Sequence, residues 1–150
     1  MNEQNSTSAK GDIPVLWPET LPNAPIISPH AILCKQAEWI TWHTNKRVIG
    51  RVHSKTMGRS LSHTFSLTCP CFLDYAYFVA RVRHSIDVLY PLQLFLMDSE
   101  GTFAECRDET EFLDTLGKIL HEERIQNILY TLMAHAIPPE DWLPPVEEIK

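Results

Sequence analysis

Residues 88–97 (VLYPLQLFLM) are almost wholly apolar, and the rest of the predicted fold is organised around them. Gln93 is the only clearly polar residue after Tyr90 and Pro91, so both faces of the segment are expected to be covered, as in a central β-strand. Pro91 has no N–H to donate, which places it near the start of the strand or on a side without a neighbour. Regular pairing is therefore expected from about Leu92.

A turn and a second strand are predicted to follow. Residues 98–101 (DSEG) combine a turn former with a glycine that is free to take positive φ, and residues 102–106 (TFAEC) alternate as a returning strand would. Asp108 with Glu111 three residues later fits a capping box that opens a helix. The sequence predicts a β-hairpin over residues 88–106 followed by a helix.

Two apolar ridges at helical spacing occupy residues 108–136. They are out of phase by about two residues across 121–124, which an unbroken period of about 3.6 residues does not allow. We therefore expect two helices, or one that is sharply kinked near His121. The ridges consist of Phe112, Leu113, Leu116, Ile119 and Leu120, then Ile125, Ile128, Leu129, Leu132 and Met133.

The N-terminal half is less regular. Residues 1–12 are polar and are expected to be disordered. Residues 13–29 carry five prolines among apolar residues, which predicts an extended strap that buries Trp17, or alternatively a docking peptide for another protein. Ser28 and Pro29 suit the start of a short helix through Lys35.

Further elements are expected between residues 39 and 85. Residues 39–53 flank a Thr-Asn-Lys turn and predict a second hairpin. Residues 54–68 are rich in hydroxyl groups and predict a loop, with a short strand as an alternative. Residues 72–85 show spacings of three and four and predict a helix.

These elements predict an α+β domain over residues 13–137. A small antiparallel sheet of two hairpins is expected to pack against three to four helices, with proline-rich arms at both ends, the second being the acidic tail 138–150. With 150 residues and an apolar content of 44 %, one ordinary globular domain is expected. No apolar run approaches the ~18 residues that span a membrane, and no signal peptide is evident, so we expect a cytoplasmic protein with reduced cysteines.

Charge is divided unequally along the chain. Residues 1–63 carry seven Lys or Arg against four Asp or Glu, whereas residues 64–150 carry six against fifteen. The cations of residues 46–59, with two tryptophans and two histidines nearby, suit a single-stranded nucleic-acid surface, but lysine and arginine also protect exposed strand edges from aggregation. These candidate nucleic-acid-binding residues are Trp42, Lys46, Arg47, Arg51, Lys55 and Arg59.

The acidic half offers a candidate protein-binding surface. Glu122 and Glu123 lie at a predicted helix start, where negative charge is favourable in any case. Trp142 and Leu143, between two Pro-Pro pairs, are candidate anchors for a protein partner.

Motifs for catalysis, nucleotides and metals are weak. The five glycines form no phosphate-binding loop. Cys69, Cys71 and Cys106 are weak metal candidates, since only half of a zinc spacing is approximated. Cys106 precedes a predicted helix, where the macrodipole would lower a thiol pKa, although buried inert cysteine is commoner. No cofactor is expected.

Three functions follow from these features. The first is a small non-enzymatic protein that binds another protein, as an adaptor, chaperone-like or immunity-type protein, with self-association as a variant. The second is a nucleic-acid-binding accessory protein that uses residues 46–59. The third is a metalloprotein or enzyme built on the cysteine and histidine side chains.

Overall fold

A computed structural model describes residues 11–23, 26–97 and 101–136, and within them the fold is α+β, as the sequence predicts. The first helix is α1 (Pro29–His43). Five strands follow: β1 (Ile49–Met57), β2 (Ser60–Cys69), β3 (Phe72–Ser85), β4 (Val88–Phe95) and β5 (Ala104–Cys106). The last described elements are the helices α2 (Glu109–Leu120) and α3 (Glu123–His135).

The five strands form a single antiparallel sheet in chain order, β1-β2-β3-β4-β5, where the two predicted hairpins would supply four strands. The predicted loop over residues 54–68 is wrong, because these residues complete β1 and form most of β2. The alternative of a strand is confirmed, and along one face of β2 His63, Phe65 and Leu67 are buried and Leu61 is half-buried. Gly58 has a φ of +61° in the turn between β1 and β2, a conformation that glycine adopts without strain.

Helix α1 begins where the sequence predicts and continues further than expected. The Ser28 hydroxyl accepts a hydrogen bond from the Ala31 N–H at 3.1 Å, and Pro29 occupies the first turn. The predicted strand over residues 39–43 is wrong, because these residues form the last turns of α1. Trp39 and Trp42 resemble strand formers, but they lie on the solvent side of the helix, 53 % and 59 % exposed.

Strand β3 occupies residues predicted to be helical. Its pairing with β2 shifts register twice, between Phe65 and Ser66 and between Leu67 and Cys69. The first bulge leaves Val79 without a partner in β2, so that adjacent Val79 and Ala80 are both buried. Bulges interrupt the period of two, and the resulting apolar spacing imitates a helix.

The C-terminal elements agree with the sequence prediction. Strands β4 and β5 pair antiparallel, with Leu92 opposite Cys106. Asp108 caps α2 by accepting a hydrogen bond from the Glu111 N–H at 2.9 Å. The chain then forms two helices, α2 and α3, rather than one. Residues 98–100 of the predicted turn and the arm 138–150 lie outside the described residues.

The core lies on one face of the sheet, between the sheet and the three helices. Both faces of residues 88–97 were expected to be covered, but the helices cover only the face that carries Leu92 and Leu94. The apolar ridges of α2 and α3 contribute to the same core through Phe112, Leu116, Ile119, Ile125 and Leu132.

The N-terminal arm is the exception to the expected packing. Ile27 is tied to the domain, since its N–H donates to Glu109 Oε1 at 3.1 Å and its carbonyl accepts from the Tyr90 hydroxyl at 3.3 Å. Trp17 was expected to be buried between an extended strap, residues 13–29, and the domain, but it is 77 % exposed. Among the described residues, no helix combines the length and the apolar character needed to cross a bilayer.

Candidate functional site

The face of the sheet opposite the helices carries three cross-strand rows of side chains, which we call the open face. Residues that pair across antiparallel strands point to the same side, so the register defines each row. The first row is Arg51, Ser66 and Phe78. The second is His53, Thr64, Arg81 and Phe95, and the third is Lys55, Ser62, Arg83, Gln93 and Glu105.

Four cations dominate the open face. Arg51, Lys55 and Arg81 are exposed and Arg83 is half-buried, and none of the four forms an ion pair with another described residue. Within the three rows, Glu105 at the far end of the third is the one acidic residue. The face is therefore locally positive although the whole chain has a net charge of −6.

The two arginines of β3 pack against phenylalanine rings. The Arg81 guanidinium carbon lies 5.3 Å from the centre of the Phe95 ring and 5.7 Å from that of Phe78. The Arg83 guanidinium carbon lies 5.1 Å from the Phe95 ring, and its Nη2 donates to Gln93 Oε1 at 3.2 Å. These contacts hold both guanidinium groups over the sheet, which lowers the entropy that they lose on binding a ligand.

The open face has the chemistry of a surface that binds an extended anion. Its cations can contact phosphate oxygens, and its hydroxyl groups can donate to phosphates or sugars. Phe78 and Phe95 are half-buried, and each can offer a ring edge or face next to an arginine plane. Thr64 and Ser66, both half-buried, add hydroxyl groups along β2, whereas Ser62 in the third row is buried.

The structure divides the six candidate nucleic-acid-binding residues between two places. Arg51 and Lys55 lie in the rows of the open face, and Arg59 lies in the turn that joins β1 to β2. Trp42 belongs to α1, and the Lys46 ammonium lies 4.8 Å from the centre of its ring. Arg47 lies with Lys46 in the connection from α1 to β1, so the six residues do not form one surface.

The acidic candidates are only partly described. The Glu122 carboxylate forms an ion pair with Arg124 at 3.3 Å, and Glu123 is exposed in the first turn of α3. Trp142 and Leu143 lie outside the described residues. The proposed protein-binding role of these four residues stays a prediction.

The cysteines lie on the core side of the sheet. Cys69 and Cys71 donate to the Leu132 and His135 carbonyl groups of α3, at 3.8 and 3.0 Å. Burial raises the pKa of the Cys106 thiol, the opposite of the lowering that a helix N-terminus was expected to produce. In the described part of the chain, no three His, Cys, Asp or Glu side chains converge so as to hold a metal ion.

Sequence reasoning missed Arg81 and Arg83 because residues 72–85 were predicted to form a helix. The local signal was present, since residues 80–84 (ARVRH) alternate small or apolar residues with arginine. In β3 this alternation buries Ala80 and Val82 and directs the arginines to the open face.

No protein-family model, curated protein or solved structure matches this chain.

Proposed function

We propose that the protein binds single-stranded nucleic acid on the open face of its sheet. The observation that carries the proposal is the pair Arg81 and Arg83, held against Phe95 in the middle of a face that also carries Arg51 and Lys55. Cations beside planar groups are what a surface needs to bind phosphates and stack unpaired bases.

Protection of a strand edge explains only part of this charge. β1 is an edge strand, so Arg51 and Lys55 also suit the protective role that lysine and arginine serve there. β3 is the central strand and is paired on both sides. Arg81 and Arg83 therefore protect no edge, and a ligand is the better explanation of their position.

A single strand suits this face better than a duplex. The second row extends from β1 to β4, which is roughly 14 Å at the ~4.8 Å spacing of neighbouring strands. A sheet face of this kind presents rings and guanidinium planes to unpaired bases. Reading a duplex requires a helix or ribbon that enters a groove, and the open face carries neither.

Binding to a short fluorescent oligo(dT) or oligo(U), followed by anisotropy, tests the proposal. The logarithm of the affinity is expected to fall linearly with the logarithm of the salt concentration, with a slope near −3 if the four cations each neutralise one phosphate at about −0.7 per contact. Arg81→Glu with Arg83→Glu is expected to weaken binding at low salt more than tenfold and to reduce the slope by about half.

The matched control is Lys35→Glu with Lys118→Glu, which makes the same change in net charge on exposed residues of α1 and α2. This variant is expected to bind like the wild type. An equal loss of affinity in the two double variants would show that net charge alone attracts the oligonucleotide. No binding by the wild type at low salt would overturn the proposal.

A second candidate function, the binding of another protein, is favoured by the N-terminal arm. Ile13, Val15, Leu16 and Trp17 are all more than three-quarters exposed in the described structure. Burying such side chains is worth about 1.5–3 kcal/mol each, so the arm is a suitable docking segment for an apolar groove on a partner. This proposal keeps the protein-binding role expected from the sequence and assigns it to residues 13–17.

Partner capture tests this second proposal. Leu16→Ser with Trp17→Ser is expected to remove any partner that the wild type retains and to weaken the reconstituted complex more than tenfold by calorimetry. Tyr130→Ser, which changes a residue of α3 that is 77 % exposed, is the control. A complex that is unaffected by the double change in the arm would count against the arm as the docking segment.

A further inference from the structure

A cavity of about 450 Å³ lies on the core side of the sheet, at the end nearest the β1–β2 turn and beside the start of α1. Its polar lining consists of serine and histidine side chains, and two leucines complete it. The lining residues are Ser28, His30, Ser54, Leu61, His63, His84 and Leu89. This cavity is on the opposite side of the sheet from the open face.

Strand register brings three of these residues into one hydrogen-bonded chain. Ser54 of β1 pairs with His63 of β2. His84 of β3 pairs with Leu61, which lies two residues before His63 on the same face of β2. Ser54 Oγ lies 2.7 Å from His63 Nδ1, and His63 Nε2 lies 3.1 Å from His84 Nε2. Both histidines are almost fully buried, whereas Ser54 is exposed.

The hydrogen-bond partners assign the protons when both rings are neutral. His84 Nδ1 lies 2.7 Å from the Ser85 carbonyl oxygen and 3.2 Å from that of Val88, so Nδ1 must carry the proton. His84 Nε2 is then an acceptor, and His63 Nε2–H donates to it. His63 Nδ1 is left to accept the hydrogen bond that the Ser54 hydroxyl donates.

We propose that Ser54 is a nucleophile, that His63 is its general base, and that the cavity hydrolyses small carboxylic esters. A serine whose proton is accepted by a histidine, itself oriented by a third group, is the arrangement that activates hydroxyl nucleophiles. His84 is the positioning residue in this arrangement. Leu61 and Leu89 favour an apolar acyl group, and the start of α1 on the same wall favours negative charge that develops there.

The reaction is balanced with water as the only second reactant. Ser54 Oγ adds to the ester carbonyl carbon as its proton moves to His63 Nδ1, and the bond to the leaving oxygen then breaks as that oxygen takes the proton. Water adds to the acyl-serine and gives a proton to His63 Nδ1. The bond to Ser54 breaks, Oγ regains the proton, and the carboxylic acid leaves.

His63 is a weaker base than an ordinary histidine. Burial, together with smaller contributions from the neighbouring His84 of β3 and His30 of α1, lowers the pKa of His63 to about 4. We therefore expect turnover of activated aryl esters rather than of amides, because the more electrophilic carbonyl carbon of an aryl ester is attacked with less help from the general base.

Covalent labelling of the purified protein tests the proposal. A fluorophosphonate probe is expected to modify Ser54, identified by peptide mass spectrometry, and 4-nitrophenyl acetate is expected to give a burst of nitrophenolate. Ser54→Ala is expected to abolish both, whereas Ser60→Ala, which changes a serine at the start of β2, should abolish neither. Because His63 stays neutral at about pH 5, labelling should retain most of its pH 7 rate, whereas with a base of ordinary pKa 6.5 the labelling rate would fall about 25-fold.

His84 has a separate test. His84→Leu is expected to slow labelling at least tenfold, and His84→Gln, whose amide oxygen can accept the bond from His63, should restore much of the rate. Equal rates in the two variants would contradict a positioning role. The proposal as a whole is overturned if the folded wild type forms no adduct with excess probe, or if Ser54→Ala is still labelled at the wild-type rate.

Discussion

Gly50→Ala is expected to destabilise the protein by about 3 kcal/mol or more, because β1 and α1 meet at this glycine. A Cβ on residue 50 would lie 2.6 Å from Ala37 Cα and 2.7 Å from the Ala37 carbonyl oxygen. Both are backbone atoms, so relief requires α1 to move away from the sheet. A loss of this size removes a large share of the ~5–15 kcal/mol that stabilises a typical domain.

Movement of α1 would also break a bridge between the two elements. The Thr41 hydroxyl donates to the Ala37 carbonyl oxygen at 2.8 Å and accepts from the Gly50 N–H at 2.9 Å. Only the second bond joins α1 to β1, since Thr41 and Ala37 both belong to α1. Gly50→Ala is therefore expected to add the loss of this hydrogen bond, worth about 1 kcal/mol, to the cost of the steric overlap.

Urea unfolding followed by circular dichroism measures this effect, with two informative comparisons. Gly117→Ala lies in α2 with no atom within 4 Å of the added Cβ and should stabilise the protein by up to about 1 kcal/mol. Ala37→Gly should fail to rescue Gly50→Ala, because the 2.6 and 2.7 Å contacts are with backbone. An unfolding free energy of Gly50→Ala within about 1 kcal/mol of the wild type would be incompatible with this packing.

Acidification is expected to destabilise the fold through His63. Its pKa is about 4 in the folded chain, against 6.5 for an ordinary histidine. As the pH falls through 6.5, His63 becomes protonated in the unfolded chain but stays neutral in the folded chain until about pH 4. The free energy of unfolding therefore decreases over this pH range. This histidine alone is expected to remove about 2 kcal/mol at pH 5 and about 3 kcal/mol at pH 4.

Chemical denaturation of wild type and His63→Gln at several pH values isolates this contribution. The wild type should lose about 2 kcal/mol more than His63→Gln between pH 7 and pH 5. His53→Gln, which removes an exposed ring from the open face, controls for the loss of a histidine as such. Parallel pH profiles for wild type and His63→Gln would show that His63 protonates as easily in the folded chain as in the unfolded one.

Much of the C-terminal half could be predicted because its signals are local. Asp108 and Glu111 mark the start of α2, and the change of phase near His121 separates α2 from α3. The antiparallel pairing of β4 with β5 could be predicted because the apolar segment of β4 is followed within a few residues by a second segment with strand-like alternation. The prediction that regular pairing starts at about Leu92 also agrees, since the regular register of β4 with β3 runs from Arg81 opposite Phe95 to Arg83 opposite Gln93.

The candidate sites depended on partners that are distant along the chain. Arg51 and Lys55 could be identified from composition, but the alignment of β1 with β2 and of β2 with β3 is what joins them to Arg81 and Arg83. The spacing of Ser54, His63 and His84 along the chain matches no catalytic sequence motif. Cross-strand pairing is what brings the three side chains within hydrogen-bond distance.

By itself the sequence determined the fold class, the two C-terminal helices and the last hairpin, since caps and apolar periods act over a few neighbouring residues. Tertiary structure decided that residues 39–43 belong to α1 and that residues 72–85 form the central strand. Trp39 and Trp42 have a high strand propensity, but they lie in α1 on the face that points to solvent. In β3, bulges opposite β2 disguised a period of two, and a bulge exists only once the neighbouring strand is in place.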